Sequence, residues 1–110
     1  MTELNLKIIK FFACLSDETR LRIVLCLWER PHTVNEIHRC LGEERITLSA
    51  ISHQLKQMYD VGVVVFVKRG REKTFKLSEK FCWCILKDAL GHFERKGTCQ
   101  RCAKLKGEKT

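Results

Sequence analysis

Cysteines are the side chains of this 110-residue sequence whose type and spacing could do chemistry, and there are seven of them. Cys99 and Cys102 have the C-x-x-C spacing of half a zinc site or of a redox-active pair. Cys82 and Cys84 lie near the start of the last apolar segment. The odd number of cysteines, and a beginning without the features of an export signal, argue against a disulfide-bonded secreted scaffold. The thiols could therefore bind zinc or another thiophilic metal, form a redox pair or be inert, in a protein that we expect in the cytoplasm.

The basic residues could bind a polyanion. The chain has 21 lysines and arginines against 13 acidic residues, and the excess is concentrated in residues 68–76 and 92–110. Clustered positive charge is typical of nucleic-acid-binding proteins, because each neutralised phosphate releases counterions. The alternative is a charge distribution that only keeps the protein soluble. The predicted phosphate contacts are Lys68, Arg69, Arg71 and Lys73.

Residues 47–59, TLSAISHQLKQMY, could contact base edges. Ile51, Leu55 and Met58 recur at helical spacing and form an apolar face. Short polar side chains and a lysine lie on the opposite face, as a helix in the major groove of DNA requires. The predicted DNA-binding residues of this helix are Thr47, Leu48, Ser49, Ser52, His53 and Lys56.

No pattern indicates an enzyme. Ser52 and His53 are adjacent on a helix, so their side chains diverge by about 100° and cannot exchange a proton. Cys99 and Cys102 lie in a basic tail, whereas a thiol oxidoreductase would place them at a helix start after a strand. We therefore expect a binding protein.

Helices must position these groups. Apolar periodicity predicts helices over residues 3–15, from an N-cap at Ser16 to Pro31, and over residues 79–94. Three further cysteines fall on or near apolar helix faces and are predicted to be small core residues: Cys14, Cys26 and Cys40.

The middle of the chain has the pattern of a helix-turn-helix followed by a hairpin. Thr33 and Glu36 form a T-x-x-E capping box that begins a short helix ending at Gly42. After the helix over residues 47–59, β-branched and aromatic residues around a turn predict a β-hairpin over 63–77. The predicted fold is mostly α with a small β-hairpin wing, a winged helix-turn-helix of order α-α-α-α-β-β-α.

The length allows one domain with one core. We expect that domain over residues 1–96, followed by a flexible, basic, cysteine-containing tail over 97–110. No apolar run approaches the roughly 20 residues that span a bilayer, so no membrane contact is expected.

Three segments resemble the ArsR/SmtB family of repressors. FFACLSDETRLRIVLCL is similar to the first two helices of that family, SAISHQLKQMYDVGVV to its recognition helix, and KRGREKTFKLS to its wing. The resemblance covers about residues 8–93. It implies a homodimer formed by the first and last helices, and a repressor that leaves double-stranded DNA when it binds a metal ion or metalloid or is oxidised. The predicted interface residues are Ile8, Phe11, Phe12, Ile85, Leu86, Ala89 and Phe93.

The sequence departs from the family at its sensor sites. Thr33 and Asn35 stand where the arsenic and cadmium sensors have a cysteine pair. At the zinc and cobalt site of the last helix, Glu79 and His92 match two positions, but two other residues, Phe81 and Arg95, replace the remaining ligands. The turn before the recognition helix is also longer by three residues, Glu43-Glu44-Arg45.

The other cysteines offer a different site. In an antiparallel dimer, a tail that turns back at Gly97 could approach the partner subunit and complete a four-thiolate site, although residues two apart on a regular helix diverge by about 200°. The predicted metal ligands are Cys82, Cys84, Cys99 and Cys102. The leading hypothesis is thus a ligand-responsive, sequence-specific repressor. The alternative is a non-sensing winged-helix module that packs DNA or docks a protein and whose cysteines are structural.

Overall fold

Five helices and a three-stranded antiparallel sheet form the described part of this computed structural model, which comprises residues 2–81 and 83–94. The chain divides into two compact units, residues 1–79 and residues 80–110. The mostly helical winged helix-turn-helix fold is confirmed. Its elements are α1 (Glu3–Ser16), α2 (Glu18–Glu29), β1 (His32–Thr33), α3 (Val34–Leu41), α4 (Leu48–Val61), β2 (Val64–Arg69), β3 (Glu72–Leu77) and α5 (Cys84–Glu94). None of the described helices is long and apolar enough to cross a membrane.

The cap between α1 and α2 differs from the prediction. Asp17, not Ser16, is the N-cap of α2, and its carboxylate accepts a hydrogen bond from the Arg20 amide at 3.0 Å. Ser16 instead ends α1, where its hydroxyl donates to the Ala13 carbonyl at 3.0 Å. Both residue types cap helices well, so the local pattern alone could not separate them.

The predicted capping box of α3 is confirmed. The Thr33 hydroxyl accepts from the Glu36 amide at 3.2 Å, and the Glu36 carboxylate accepts from the Thr33 amide at 2.8 Å. The Thr33 amide hydrogen bond lowers the pKa of Glu36. Two donors that a helix start leaves unpaired are thereby satisfied.

The inner face of α4 packs into the core of the first unit. Ile51, Leu55 and Met58 are fully buried on the inner face of α4, as predicted, and α4 packs against α2 and α3, whose Ile23 and Ile37 are also fully buried. Burying each such side chain stabilises the fold by about 1.5–3 kcal/mol. The orientation of α4 is therefore set by apolar packing, and its other face is left for contacts outside the chain.

The wing contains one strand more than predicted. β2 and β3 form the expected hairpin, with Gly70 at its turn in the left-handed region at φ +62°. His32 and Thr33 add a short strand on the other side of β3, which gives the order β1-β3-β2. This third strand ties the start of α3 to the base of the wing.

The last helix begins later than predicted. α5 starts at Cys84 and not at Glu79. Before that point, the Ser78 amide donates to the Val63 carbonyl at 2.9 Å, and Lys76 pairs with Glu79 at 3.7 Å. These contacts join Ser78 and Glu79 to other residues of the first unit, and neither residue is part of a helix.

Candidate nucleic-acid interface

The outer face of α4 is exposed, as the sequence predicts. Thr47 caps the helix through its hydroxyl, which accepts from the Ala50 amide at 3.1 Å. The other predicted contact residues of α4 are all solvent-exposed, namely Leu48, Ser49, Ser52, His53 and Lys56. Short side chains near the beginning of an exposed helix allow its backbone to approach base edges closely.

The long turn before α4 is held by hydrogen bonds. Gly42 ends α3 at φ +101°, a conformation that favours glycine. The Arg45 amide donates to the Gly42 carbonyl at 3.0 Å, and Nε2 of His38 donates to the Ile46 carbonyl at 2.7 Å. The three additional residues thus form a defined turn that is attached to α3.

The tip of the wing carries four cations, Lys68, Arg69, Arg71 and Lys73, and one acid, Glu72, which lies opposite Arg69 in the strand register. Lys68 and Lys73 lie directly opposite each other in the β2–β3 register, and opposed like charges destabilise a hairpin. The Lys73 ammonium lies 4.6 Å from the centre of the Phe66 ring, where the ring partly compensates its charge. Arg69 and Arg71 are exposed and make no ion pair or side-chain hydrogen bond with any described residue. A bound phosphate would relieve this repulsion.

Aromatic contacts fix the wing to α4. The rings of Tyr59 on α4 and Phe66 on β2 have centroids 5.0 Å apart, and Phe66 lies 5.4 Å from Phe75 of β3. The exposed face of α4 and the basic wing are consequently held by one rigid structure.

Sequence reasoning missed Arg20 as a residue of this surface. Nε of Arg20 donates to Oε1 of Gln54 at 2.8 Å, and its Nη2 donates to Oε1 of Gln57 at 3.4 Å. Gln57 in turn contacts Nε2 of His53 at 3.3 Å. The two contacts of Arg20 join residues that are more than thirty positions apart in the sequence, so helical periodicity could not reveal them.

The first unit contains three of the cysteines, Cys14, Cys26 and Cys40. Cys14 and Cys26 are buried, as predicted, whereas Cys40 is exposed and the prediction that it belongs to the core is wrong. Burial raises the pKa of Cys14, and burial together with a hydrogen bond to Cys40 raises the pKa of Cys26 to about 12. Both shifts favour the protonated thiol over the thiolate, which is the form that binds metals.

The predicted four-thiolate site lies largely beyond the described residues. Cys84 is exposed at the start of α5, whereas Cys82, Cys99 and Cys102 lie outside the described residues. Among residues 2–81 and 83–94, no three histidine, cysteine or acidic side chains lie close enough to hold a metal ion.

Both predicted interface helices expose apolar side chains. On α1, Ile8 and Phe12 are exposed, and Phe11 is partly covered. On α5, Ile85 is 53% and Phe93 is 85% exposed, Ala89 is exposed, and Leu86 is buried. Apolar surface of this extent on a soluble domain usually marks an interface.

Comparisons with known proteins find helix-turn-helix regulators. A family model described as a helix-turn-helix domain matches residues 15–65. The HTH-type transcriptional regulator NmtR of Mycobacterium tuberculosis is 31% identical over 80 residues, which span 73% of this chain and 64% of the relative. The matched region is thus shorter than two thirds of that relative.

Solved structures share the fold. The ArsR-like transcriptional regulator from Rhodococcus sp. RHA1 is similar with a TM-score of 0.61 and 27% identity, over 86% of this chain and 82% of that chain. The homodimeric winged helix-turn-helix DNA-binding domain Mb0332 from Mycobacterium bovis, a possible ArsR-family regulator, has a TM-score of 0.65 and 16% identity, over 88% and 97% of the two chains. At that identity, the second likeness shows the fold alone. These matches, together with the shared winged helix-turn-helix fold, make the chain similar to helix-turn-helix transcriptional regulators, among them an ArsR-like one.

Proposed function

We propose that this protein is a sequence-specific DNA-binding repressor that acts as a homodimer. The observation that carries the proposal is the exposed polar face of α4, held beside a wing whose exposed Arg69 and Arg71 make no ion pair with a described residue. In this arrangement α4 contacts base edges in the major groove, and the wing contacts phosphate. The same arrangement on two subunits related by a two-fold axis places two recognition helices on one face of DNA.

The wing is expected to supply affinity that does not depend on sequence. Replacing both Arg69 and Arg71 with alanine should weaken binding to all DNA sequences by a similar factor, because phosphates are the same everywhere. Each lost phosphate contact lowers the salt dependence, so the slope of log K against log salt should fall by about 2. Fluorescence anisotropy with operator and random duplexes at several salt concentrations measures both quantities.

A matched control removes the same charge from α1. Lys7 and Lys10 are exposed there, and their double alanine variant should keep the salt slope of the wild type. A loss confined to one operator sequence, with an unchanged slope, would show that the wing reads bases and not phosphate.

We further propose that the repressor releases DNA when its thiols bind a thiophilic metal or metalloid or are oxidised. The support is the resemblance to the family and the C-x-x-C pair at Cys99 and Cys102. Anaerobically reduced protein should bind operator tightly. Zinc, arsenite and hydrogen peroxide are then added, each alone, to find which agent weakens operator binding. We expect the effective agent to lower operator affinity at least fivefold. The Cys99→Ser/Cys102→Ser variant should lose this response but keep its affinity. Operator binding that none of the three agents changes would favour the non-sensing module.

A further inference from the structure

Arg20 connects α2 to the recognition helix through two glutamines. Its guanidinium is partly buried, with Nε 2.8 Å from Oε1 of Gln54 and Nη2 3.4 Å from Oε1 of Gln57. These glutamines lie three residues apart on α4, so one planar guanidinium reaches both. Neighbouring Arg22 differs, because among the described residues it pairs only with Glu18 of its own helix, at 3.0 Å.

Elementary hydrogen-bond chemistry fixes the direction of every bond in this network. A guanidinium can only donate, so both glutamines must turn their carbonyl oxygens toward Arg20. The amide nitrogen of Gln57 then faces Nε2 of His53, 3.3 Å away. Since an amide nitrogen can also only donate, Nε2 of His53 must accept, and the proton of the neutral imidazole lies on Nδ1.

The tautomer determines what His53 can offer to DNA. His53 is exposed on the outer face of α4, and its ring nitrogen that is not bonded to Gln57 is a hydrogen-bond donor. In the major groove, guanine presents two acceptors, thymine one acceptor beside its methyl group, adenine an acceptor and a donor, and cytosine an amino donor. A single N–H therefore meets the most acceptors at guanine and is repelled by the amino group of cytosine.

We propose that Arg20 is a positioning residue that sets the base preference of His53: by orienting Gln57 it holds His53 in the Nδ1–H form, which selects guanine at the base pair it contacts. The inference rests on the proposed DNA-binding function, and it adds the hydrogen-bond polarity with which this helix reads its operator. Arg20 itself does not contact the base in this scheme.

The tautomer of His53 tests the network without DNA. Long-range proton–nitrogen NMR correlations at about pH 8, where free imidazole side chains are neutral, should show the proton of His53 on Nδ1. In the Arg20→Ala and Gln57→Leu variants the proton should move toward Nε2, the form that unconstrained histidines prefer in water. The Arg22→Ala control removes the same charge from α2 and should keep the wild-type tautomer. Wild-type protein with its proton on Nε2 would overturn the proposal.

Base preference tests the consequence. Selection from a randomised DNA library should give the wild type and Arg22→Ala the same guanine at one position of each half-site. Arg20→Ala, Gln57→Leu and His53→Ala should each reduce discrimination between guanine and cytosine there by about fivefold or more. Gln57 is exposed, so its variant remains informative if Arg20→Ala fails to fold.

Different results would contradict the proposed DNA-binding function and the proposed role of Arg20. Wild-type protein without any sequence preference or salt-dependent DNA binding would remove the proposed function. Sequence-selective binding whose guanine preference survives the loss of Arg20, Gln57 or His53 would leave the repressor in place and overturn this inference alone.

Discussion

Replacing Ile85 with aspartate is expected to convert the proposed homodimer into monomers and to weaken operator binding by about 100-fold or more. The magnitude follows from linkage, because joining two DNA-binding modules raises the overall affinity by about 10²–10⁴. Ile85 and Phe93 of α5 are 53% and 85% exposed, and α1 separately exposes Ile9 and Phe12 at 51% and 49%. An aspartate placed in an interface built from such side chains buries an unpaired charge, which is strongly unfavourable.

Sedimentation velocity at micromolar concentration and operator titration measure the two effects. Lys87→Asp is the control, because Lys87 is an exposed residue of the same helix and is not among the predicted interface residues. Wild-type and control proteins should sediment as dimers, and Ile85→Asp as a monomer that retains weak, salt-dependent DNA binding. Reduced wild-type protein that sediments as a monomer would remove the two-fold geometry from the proposed function, and a simple winged-helix interaction module would replace it.

Local signals made much of the fold predictable. The inner face of α4 is defined by Ile51, Leu55 and Met58, whose spacing fits a helix, and all three are buried. The capping box of Thr33 and Glu36 requires only residues three positions apart, and both of its hydrogen bonds form. Such features depend on neighbours along the chain, and the sequence displays them directly.

The features that the sequence did not reveal depend on partners far along the chain. β1 is two residues long and exists because His32 and Thr33 pair with β3, and a strand so short has no periodicity of its own. Cys40 lies near an apolar helix face but is exposed. The helical pattern could not predict this, because it does not show which neighbouring elements cover the edge of that face. Arg20 acquires its role only when α2 packs against α4. The candidate site was therefore predictable as an outward helix face, but its internal hydrogen bonds were not.

A glutamate at Ser52 is expected to abolish specific operator binding. Ser52 is exposed between Ser49 and Lys56 on the outer face of α4, where bases or phosphates would lie within van der Waals distance. Like charges brought together at an interface cost several kcal/mol, and a loss of about 3 kcal/mol corresponds to roughly 100-fold weaker binding. Because the side chain is exposed, the variant should fold as the wild type does.

The matched control places the same charge at the other end of the same helix. Val61 is the last residue of α4 and is exposed, so Val61→Glu adds an equal negative charge away from the residues that enter the groove. Operator affinity should then fall far more for Ser52→Glu than for Val61→Glu, with equal thermal melting temperatures. Equal affinities of the two variants would mean that the long turn of Glu43, Glu44 and Arg45 directs α4 away from the groove. In that event the wing would be the DNA-binding element, and the salt dependence contributed by Arg69 and Arg71 would persist without sequence preference.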